Sequence, residues 1–163
     1  LIFFITHLGN KLKTIEDELS HCAPDSTFGI DISKSQIVYA PVYTFIETGV
    51  GEMQQLDAVL GIRNSDPEHS ITITSARFYD GKGNMVREYF DGGPVQLAPL
   101  EARTLTMKKS ELRDVGSAAN FIVAWHAEVP VYEPIIDAIM FGFIDGRSIT
   151  FKSVGRPLTQ RIE

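Results

Sequence analysis

Apolar residues near the N-terminus follow a helical repeat. Seven of them alternate at spacings of four and three residues, which is the spacing of a coiled-coil seam. Pro24 ends the pattern, because proline cannot continue a helix. The sequence therefore predicts an α-helix over residues 1–23 that either forms a coiled coil or docks as a single amphipathic helix. The predicted interaction stripe is Leu1, Ile5, Leu8, Leu12, Ile15 and Leu19, with Cys22 as the seventh member.

From residue 36 onwards the apolar period changes to two, as in half-buried strands. Leu56, Ala58 and Leu60 share one face of the clearest such segment, and turn signals recur about every 8–12 residues. Residues 36–156 are therefore predicted to form an all-β domain, an antiparallel immunoglobulin-like β-sandwich of about eight strands. A linker is predicted at residues 24–35 and a tail at residues 157–163.

Finer predictions concern three of the strands. The alternation slips in phase near Ser75, which indicates a β-bulge. Trp125 shares a face with Phe121 and Val123, so we expect it in the core. Residues 135–143 are apolar on both sides, which is typical of a central strand.

Charge and composition exclude some partners. The formal net charge is −6 with no long run of either sign, which disfavours nucleic acid binding. Cys22 is the only cysteine, so the chain can form no internal disulfide. The apolar run from Leu1 to Ile5 is too short to cross a bilayer, which takes about 20 residues. It could be the end of a longer transmembrane segment, or the apolar start of a helix.

Several short segments, in a fixed order, resemble one bacterial family. The chain is similar to the domain-of-unknown-function 3124 family over roughly residues 37–156. This resemblance implies a bacterial protein that is often exported or anchored in the envelope, and it implies no known activity. The segments are Ala40–Tyr43, Ile62–Asp66, Ile71–Thr74, Tyr79–Asp80, Leu97–Leu100, Ala119–Trp125, Ile149–Phe151 and Gly155–Arg156.

Candidate metal ligands lack the spacing that a metal site needs. The histidines are His7, His21, His69 and His126, and no pair of them has the short local spacing of zinc ligands. Calcium prefers oxygen ligands, but Asp80, Asn84 and Asp91 lack the alternating acidic pattern of a calcium loop. We interpret these three residues as turn formers and predict neither a metal nor a cofactor.

Asp137 is the most unusual titratable residue, because it lies in an apolar strand. A buried carboxylate needs a partner. We expect a structural pair with an arginine such as Arg63 or Arg77, or a position at an exposed strand end. An uncharacterised hydrolase built on Asp137 and His126 is a weaker hypothesis.

Aromatic residues and loops offer a second kind of site. Several exposed rings together would suit a carbohydrate or peptide, and the loops at residues 44–54 and 114–119 are expected to be long and flexible. Core packing is the alternative for Trp125. The aromatic candidates are Tyr39, Tyr43, Tyr79, Tyr89, Tyr132 and Trp125.

These observations favour a non-enzymatic accessory or structural subunit with no catalytic residues. Its N-terminus would anchor it on the periplasmic side of the inner membrane, and its partners would be a membrane protein complex or a second copy through the helix. The alternative is a periplasmic module that binds a carbohydrate or peptide through the end loops of the sandwich.

Overall fold

The structure, a computed structural model, describes residues 32–47, 49, 51–112, 114–144 and 146–158. They belong to one compact unit, Ile32–Glu163. The helix predicted for residues 1–23, with its interaction stripe, lies outside the described residues. Strands dominate what is described, with a single 3₁₀ turn at Lys109–Glu111. The strands are β1 Ile32–Tyr43, β2 Phe45–Glu47, β3 Met53–Gln55, β4 Asp57–Arg63, β5 Ile71–Tyr79, β6 Met85–Glu88, β7 Val95–Leu97, β8 Ala102–Met107, β9 Ala118–Tyr132, β10 Ile135–Ile144, β11 Arg147–Val154 and β12 Arg156–Pro157.

Two larger antiparallel sheets and one hairpin organise these strands. The six-stranded sheet has the order β12-β1-β9-β5-β6, and β7 also pairs with β5. The four-stranded sheet has the order β11-β10-β4-β8. The third element is the β2–β3 pair. The all-β, antiparallel prediction is therefore confirmed, and short strands raise the number above the eight expected.

Buried residues from both larger sheets form one hydrophobic core. Trp125, Phe121 and Val123 are buried in it, as their shared face predicts. Leu105 and Met107 of β8 are buried while Thr104 and Thr106 are exposed, which follows the period of two. The core therefore follows from binary patterning.

Irregular pairing flanks one segment of β9. On the β5 side the register shifts between Ile73 and Ser75, so the predicted bulge is confirmed. On the β1 side Ser33 pairs with Val131 but Ser35 pairs with His126. Residues 127–130 of β9 therefore face a single residue of β1, a much larger irregularity that the sequence pattern did not indicate.

Strand boundaries differ from the predicted domain limits at both ends. β1 begins at Ile32, inside the predicted linker at 24–35, because that segment pairs with β9. Past the predicted limit of 156, Pro157 pairs with Val38, and the Leu158 amide donates to the Ile37 carbonyl. Gly155 lies at the crossing between sheets, where a Cβ would be 2.7 Å from the Ile136 carbonyl oxygen. Any larger residue at position 155 would require neighbouring atoms to move.

Candidate functional site

Apolar side chains are exposed on the outer face of the four-stranded sheet. Ile136, Ala138 and Met140 of β10 point into the core, so the alternate residues point away from it. Among these, Phe143 is 69% exposed and Ile135 49%. We call the outward apolar residues of this strand the β10 stripe: Ile135, Ile139, Phe141 and Phe143.

The central position predicted for this strand is confirmed, because β10 lies between β11 and β4. Within the described residues, the apolar side chains on its outer side are not buried. Isolated exposed apolar residues are normal, whereas a run of them on one face marks an interaction surface. Apolar residues on both sides of the strand were the sequence signal, but they could not distinguish an exposed outer face from a covered one.

Asp137 lies on the same outer face and is nevertheless only 4% exposed. It pairs in register with Gly61 of β4, and its Oδ1 lies 2.9 Å from where a Cβ on residue 61 would be. Lys152 Nζ is 3.8 Å from Oδ2, while Oδ1 accepts no hydrogen bond from the part of the chain that the structure describes. The carboxylate therefore fills the space that glycine leaves free.

The predicted arginine partners of Asp137 are wrong. Arg77 lies on the other sheet, where its Nε is 3.0 Å from Glu88 Oε2. Arg63 lies on β4 opposite Ile135, and its Nε is 3.9 Å from where a Cβ on residue 61 would be, but it forms no ion pair with Asp137. Lys152 is the cation within 4 Å of Asp137, because antiparallel pairing of β10 and β11 places it diagonally across. A contact of this kind depends on register, which the sequence does not reveal.

The histidines do not assemble a site. His126 is on the outer face of the six-stranded sheet and Asp137 is on the outer face of the four-stranded sheet, so they are not brought together. His69 Nδ1 lies 3.2 Å from Asp66 Oδ1. His7 and His21 lie outside the described residues. Within those residues no group of three or more metal-ligating side chains was found.

Asn64 and Asp66 form a buried polar hub that sequence reasoning missed. Asn64 Nδ2 donates to the carbonyl oxygens of His69, at 2.8 Å, and Ala98, at 2.9 Å. Its Oδ1 accepts from the Asp66 amide at 3.0 Å. The loop between β4 and β5 is thereby tied to the loop between β7 and β8. The sequence did contain a sign of this hub, because Asn-Ser-Asp-Pro follows a predicted strand. Asn and Asp side chains in such turns commonly accept a hydrogen bond from the backbone amide two residues later.

Asp66 extends this hub to the end of β9. Its Oδ1 accepts the amides of Glu68 and His69, and its Oδ2 accepts the Tyr132 amide. Burial acts to raise the pKa of Asp66, but these backbone donors outweigh burial and lower the pKa below its usual value. The carboxylate is therefore a structural acceptor with its hydrogen-bonding capacity in use.

Two of the three residues considered for calcium, Asp80 and Asn84, form one turn. Asp80 Oδ1 accepts the amides of Lys82 and Asn84, and Asp80 Oδ2 accepts Asn84 Nδ2. The Asn84 side chain, as the leading cause, lowers the pKa of Asp80. Gly83 adopts φ +84°, which glycine tolerates. Asp91 is exposed in a separate turn where the Gly93 amide donates to the Phe90 carbonyl.

Hydrogen bonds join residues of both predicted end loops to other strands and turns. In the first loop, Phe45–Glu47 of β2 pairs with Met53–Gln55 of β3. The loop at 114–119 is tied down, because the Thr44 hydroxyl bonds to the Gly116 carbonyl and the Gly81 amide to the Val115 carbonyl. This loop and the Asp80 turn line a polar cavity of about 540 Å³.

The aromatic candidates do not form one platform. Trp125 is buried, Tyr79 and Tyr89 are half-buried, and Tyr132 lies beside the Asp66 hub. Tyr39 and Tyr43 are exposed on the outer side of β1, where Tyr43 packs beside Phe151 with ring centroids 6.1 Å apart. Tyr39 remains exposed and pairs in register with Ile122 and Arg156.

A cleft lies beside Tyr39, on the outer face of the six-stranded sheet. We call it the sheet cleft; its volume is about 650 Å³. It lies at the irregularity of β9, where the side chains of Ala124 and His126 alternate with the buried Val123 and Trp125. The residues that line the sheet cleft are Ser35, Gln36, Ile37, Thr74, Ala124, Trp125, His126 and Leu158.

The described residues include no helix that is long and apolar enough to span a membrane.

Comparison with known proteins identifies the family. One solved structure, titled "Crystal Structure of Thermotoga maritima 1070", matches at 10% sequence identity and a TM-score of 0.42, covering 76% of this chain and 95% of that one. The search of curated proteins found no match. The family described as "Protein of unknown function (DUF3124)" matches residues 35–158, which include all twelve strands except the first three residues of β1. The chain therefore belongs to the DUF3124 family.

Proposed function

We propose that this chain is a non-enzymatic accessory subunit of a bacterial envelope complex. The N-terminal segment anchors it on the periplasmic side of the inner membrane, and the β10 stripe contacts a protein partner. The observation that carries the proposal is the exposure of Phe143, Phe141 and Ile135 on one face of a central strand.

Energetics support an interface at this stripe. Burying a phenylalanine or isoleucine side chain contributes about 1.5–3 kcal/mol, and a few such side chains dominate the affinity of many interfaces. Aromatic residues are enriched in the cores of interfaces. A central strand holds the β10 stripe, so its backbone is already ordered before a partner binds.

Charge favours a protein partner over a lipid surface at the stripe. Charges of both signs flank the stripe: Asp57 pairs opposite Phe141, while Arg63 pairs opposite Ile135 and Lys152 opposite Ile139. Anionic lipid headgroups attract clusters of lysine and arginine alone, and the net charge of the chain is −6. A protein surface with apolar side chains matches the stripe better.

The finer architecture is part of the same proposal. We infer that the two larger sheets form an immunoglobulin-like sandwich, since both contribute buried residues to one core. The N-terminal residues form an α-helix whose apolar stripe associates with a membrane protein or a second copy. The partner is then contacted at two places, the helix and the β10 stripe.

Co-purification of the full chain from bacterial membranes tests the docking surface. We expect a discrete partner to accompany the wild-type chain and to be lost with Phe143→Ser and Phe141→Ser combined. Met85→Ser is the matched control, because Met85 is 58% exposed on the other large sheet. Equal recovery of the partner with the stripe variant and the control would refute docking through this face.

Fractionation tests the location separately. We expect the full chain in the inner-membrane fraction and its β domain to be cleaved when protease is added to spheroplasts. Recovery of the chain in the cytosol, or complete protection in intact spheroplasts, would refute the periplasmic anchor without bearing on the stripe.

A further inference from the structure

We propose that the sheet cleft is a binding site for a neutral saccharide. This inference concerns the six-stranded sheet and does not depend on the β10 stripe. Clefts of about 300–1,000 Å³ commonly hold small ligands, and the sheet cleft, at about 650 Å³, is of that size.

Two irregularities in strand pairing build the cleft. β9 is bulged against β1 after His126, and β5 is bulged against β9 at Thr74. The Thr74 hydroxyl donates to the Ala124 carbonyl oxygen at 3.1 Å, and this hydrogen bond links the bulge in β5 to β9. Bulges redirect side chains and recur beside binding sites. The two bulges make this face of the sheet concave where regular pairing would leave it flat.

The lining combines hydroxyl and imidazole groups with apolar side chains. Ser35 and His126 offer groups that both donate and accept hydrogen bonds, and the Thr74 hydroxyl, which donates to Ala124, can accept one. Ile37 and Leu158 are about half exposed and supply apolar contact. Sugars present the same combination, hydroxyl groups around the edge of a ring and C–H groups on its faces.

Other ligand classes fit the cleft less well. Its lining includes no lysine, arginine or carboxylate, so it is not built for phosphate or another ion. A peptide added as a strand needs free backbone groups. Residues 124–126 of β9 pair with β1 on one side and with β5 on the other, so their backbone is already paired, whereas β12 pairs with β1 only at Val38 and Tyr39. At the centre of the cleft, recognition therefore falls to side chains.

Tyr39 extends the cleft with an aromatic ring. It is two residues from Ile37 on the same side of β1 and is 37% exposed. Alternate residues on a strand are about 7 Å apart, which is near the width of a sugar ring. A saccharide in the cleft would therefore have a ring to stack on beside it.

Titration of the ¹⁵N-labelled full chain with neutral saccharides tests the proposal. The probes are glucose, galactose, N-acetylglucosamine, maltotriose and cellotriose, and any detergent present must lack a sugar headgroup. We expect at least one probe to bind with a Kd of about millimolar. The amide resonances that move should belong to residues 35–37, 74 and 124–126.

Variants distinguish the cleft from other surfaces. Tyr39→Ala and His126→Ala should each weaken binding about tenfold, which corresponds to about 1.4 kcal/mol. Tyr132→Ala is the matched control, because Tyr132 is 38% exposed and lies outside the cleft, and it should leave the Kd unchanged.

Unchanged spectra with every probe at about 50 mM, well above that Kd, would overturn the proposal. So would binding that Tyr39→Ala and His126→Ala leave intact, or tighter binding of inorganic phosphate at the same residues. None of these results bears on partner capture by the β10 stripe.

Discussion

Asp137 lies opposite Gly61 in register, and its Oδ1 occupies the space that a side chain on residue 61 would need. The distance to an added Cβ would be 2.9 Å, shorter than side chains tolerate. Gly61→Ala should therefore lower the free energy of unfolding by about 1–3 kcal/mol, as other overpacked substitutions do. Urea denaturation followed by circular dichroism measures this change.

Two controls make this prediction specific. Gly92→Ala should have little effect, because an added Cβ there meets nothing within 4 Å. Asp137→Ala should restore much of the stability lost in Gly61→Ala, giving a non-additive double-mutant cycle. Additive effects of the two substitutions would contradict the contact.

Asp137→Asn should leave stability unchanged or raise it by up to about 1 kcal/mol. The substitution removes a buried charge whose nearby cation, Lys152, is 56% exposed and 3.8 Å away, a weak arrangement. Lys152→Ala should instead lower stability, because the carboxylate then loses its compensation. Thermal and urea unfolding measure both variants, and a loss of several kcal/mol in Asp137→Asn would indicate a stronger structural pair.

Asn64→Ala should lower the free energy of unfolding by about 3 kcal/mol. The variant leaves the His69 and Ala98 carbonyls and the Asp66 amide without their partner in a buried site. Asn84→Ala is a fitting comparison, because Asn84 is exposed in a turn, and it should cost less than about 1 kcal/mol. Equal losses in the two variants would contradict the hub.

Acid should destabilise the domain partly through Asp66. Burial acts to raise the pKa of Asp66, but the amides of Glu68, His69 and Tyr132 outweigh it, so the folded pKa lies below the unfolded one. A lowered carboxyl pKa stabilises the fold above the unfolded value of about 3.9, and this stability is lost as pH falls through the folded pKa. Stability measured against pH should fall less steeply in this range for Asp66→Asn than for the wild type. The same slope in Asp66→Asn as in the wild type would contradict the prediction.

Local patterning was sufficient to predict much of the fold. The period of two placed Phe121, Val123 and Trp125 in the core, and the slip at Ser75 predicted a real bulge. Phe141 and Phe143 show the limit of this reasoning, because an apolar residue on the outer side of a central strand has the same pattern whether or not something covers it.

Contacts between distant residues were harder to predict. The nearness of Lys152 to Asp137 depends on the pairing of β10 with β11, and the sheet cleft depends on strands β1, β5 and β9 meeting. Neither follows from local periodicity, since register and strand order are set by the whole fold. The prediction of a helix with its stripe from Leu1 to Leu19 concerns residues outside those described, and it remains a prediction.

Site-specific photo-crosslinking tests the central claim, docking through the β10 stripe, most directly. A photoreactive phenylalanine analogue is placed at position 143 of the full chain in bacterial cells, and at position 85 as the control. We expect one discrete protein adduct at position 143, lost when Phe141→Ser and Ile135→Ser are added, and none at position 85. Adducts of equal yield at both positions, or adducts at 143 with lipid alone, would contradict it.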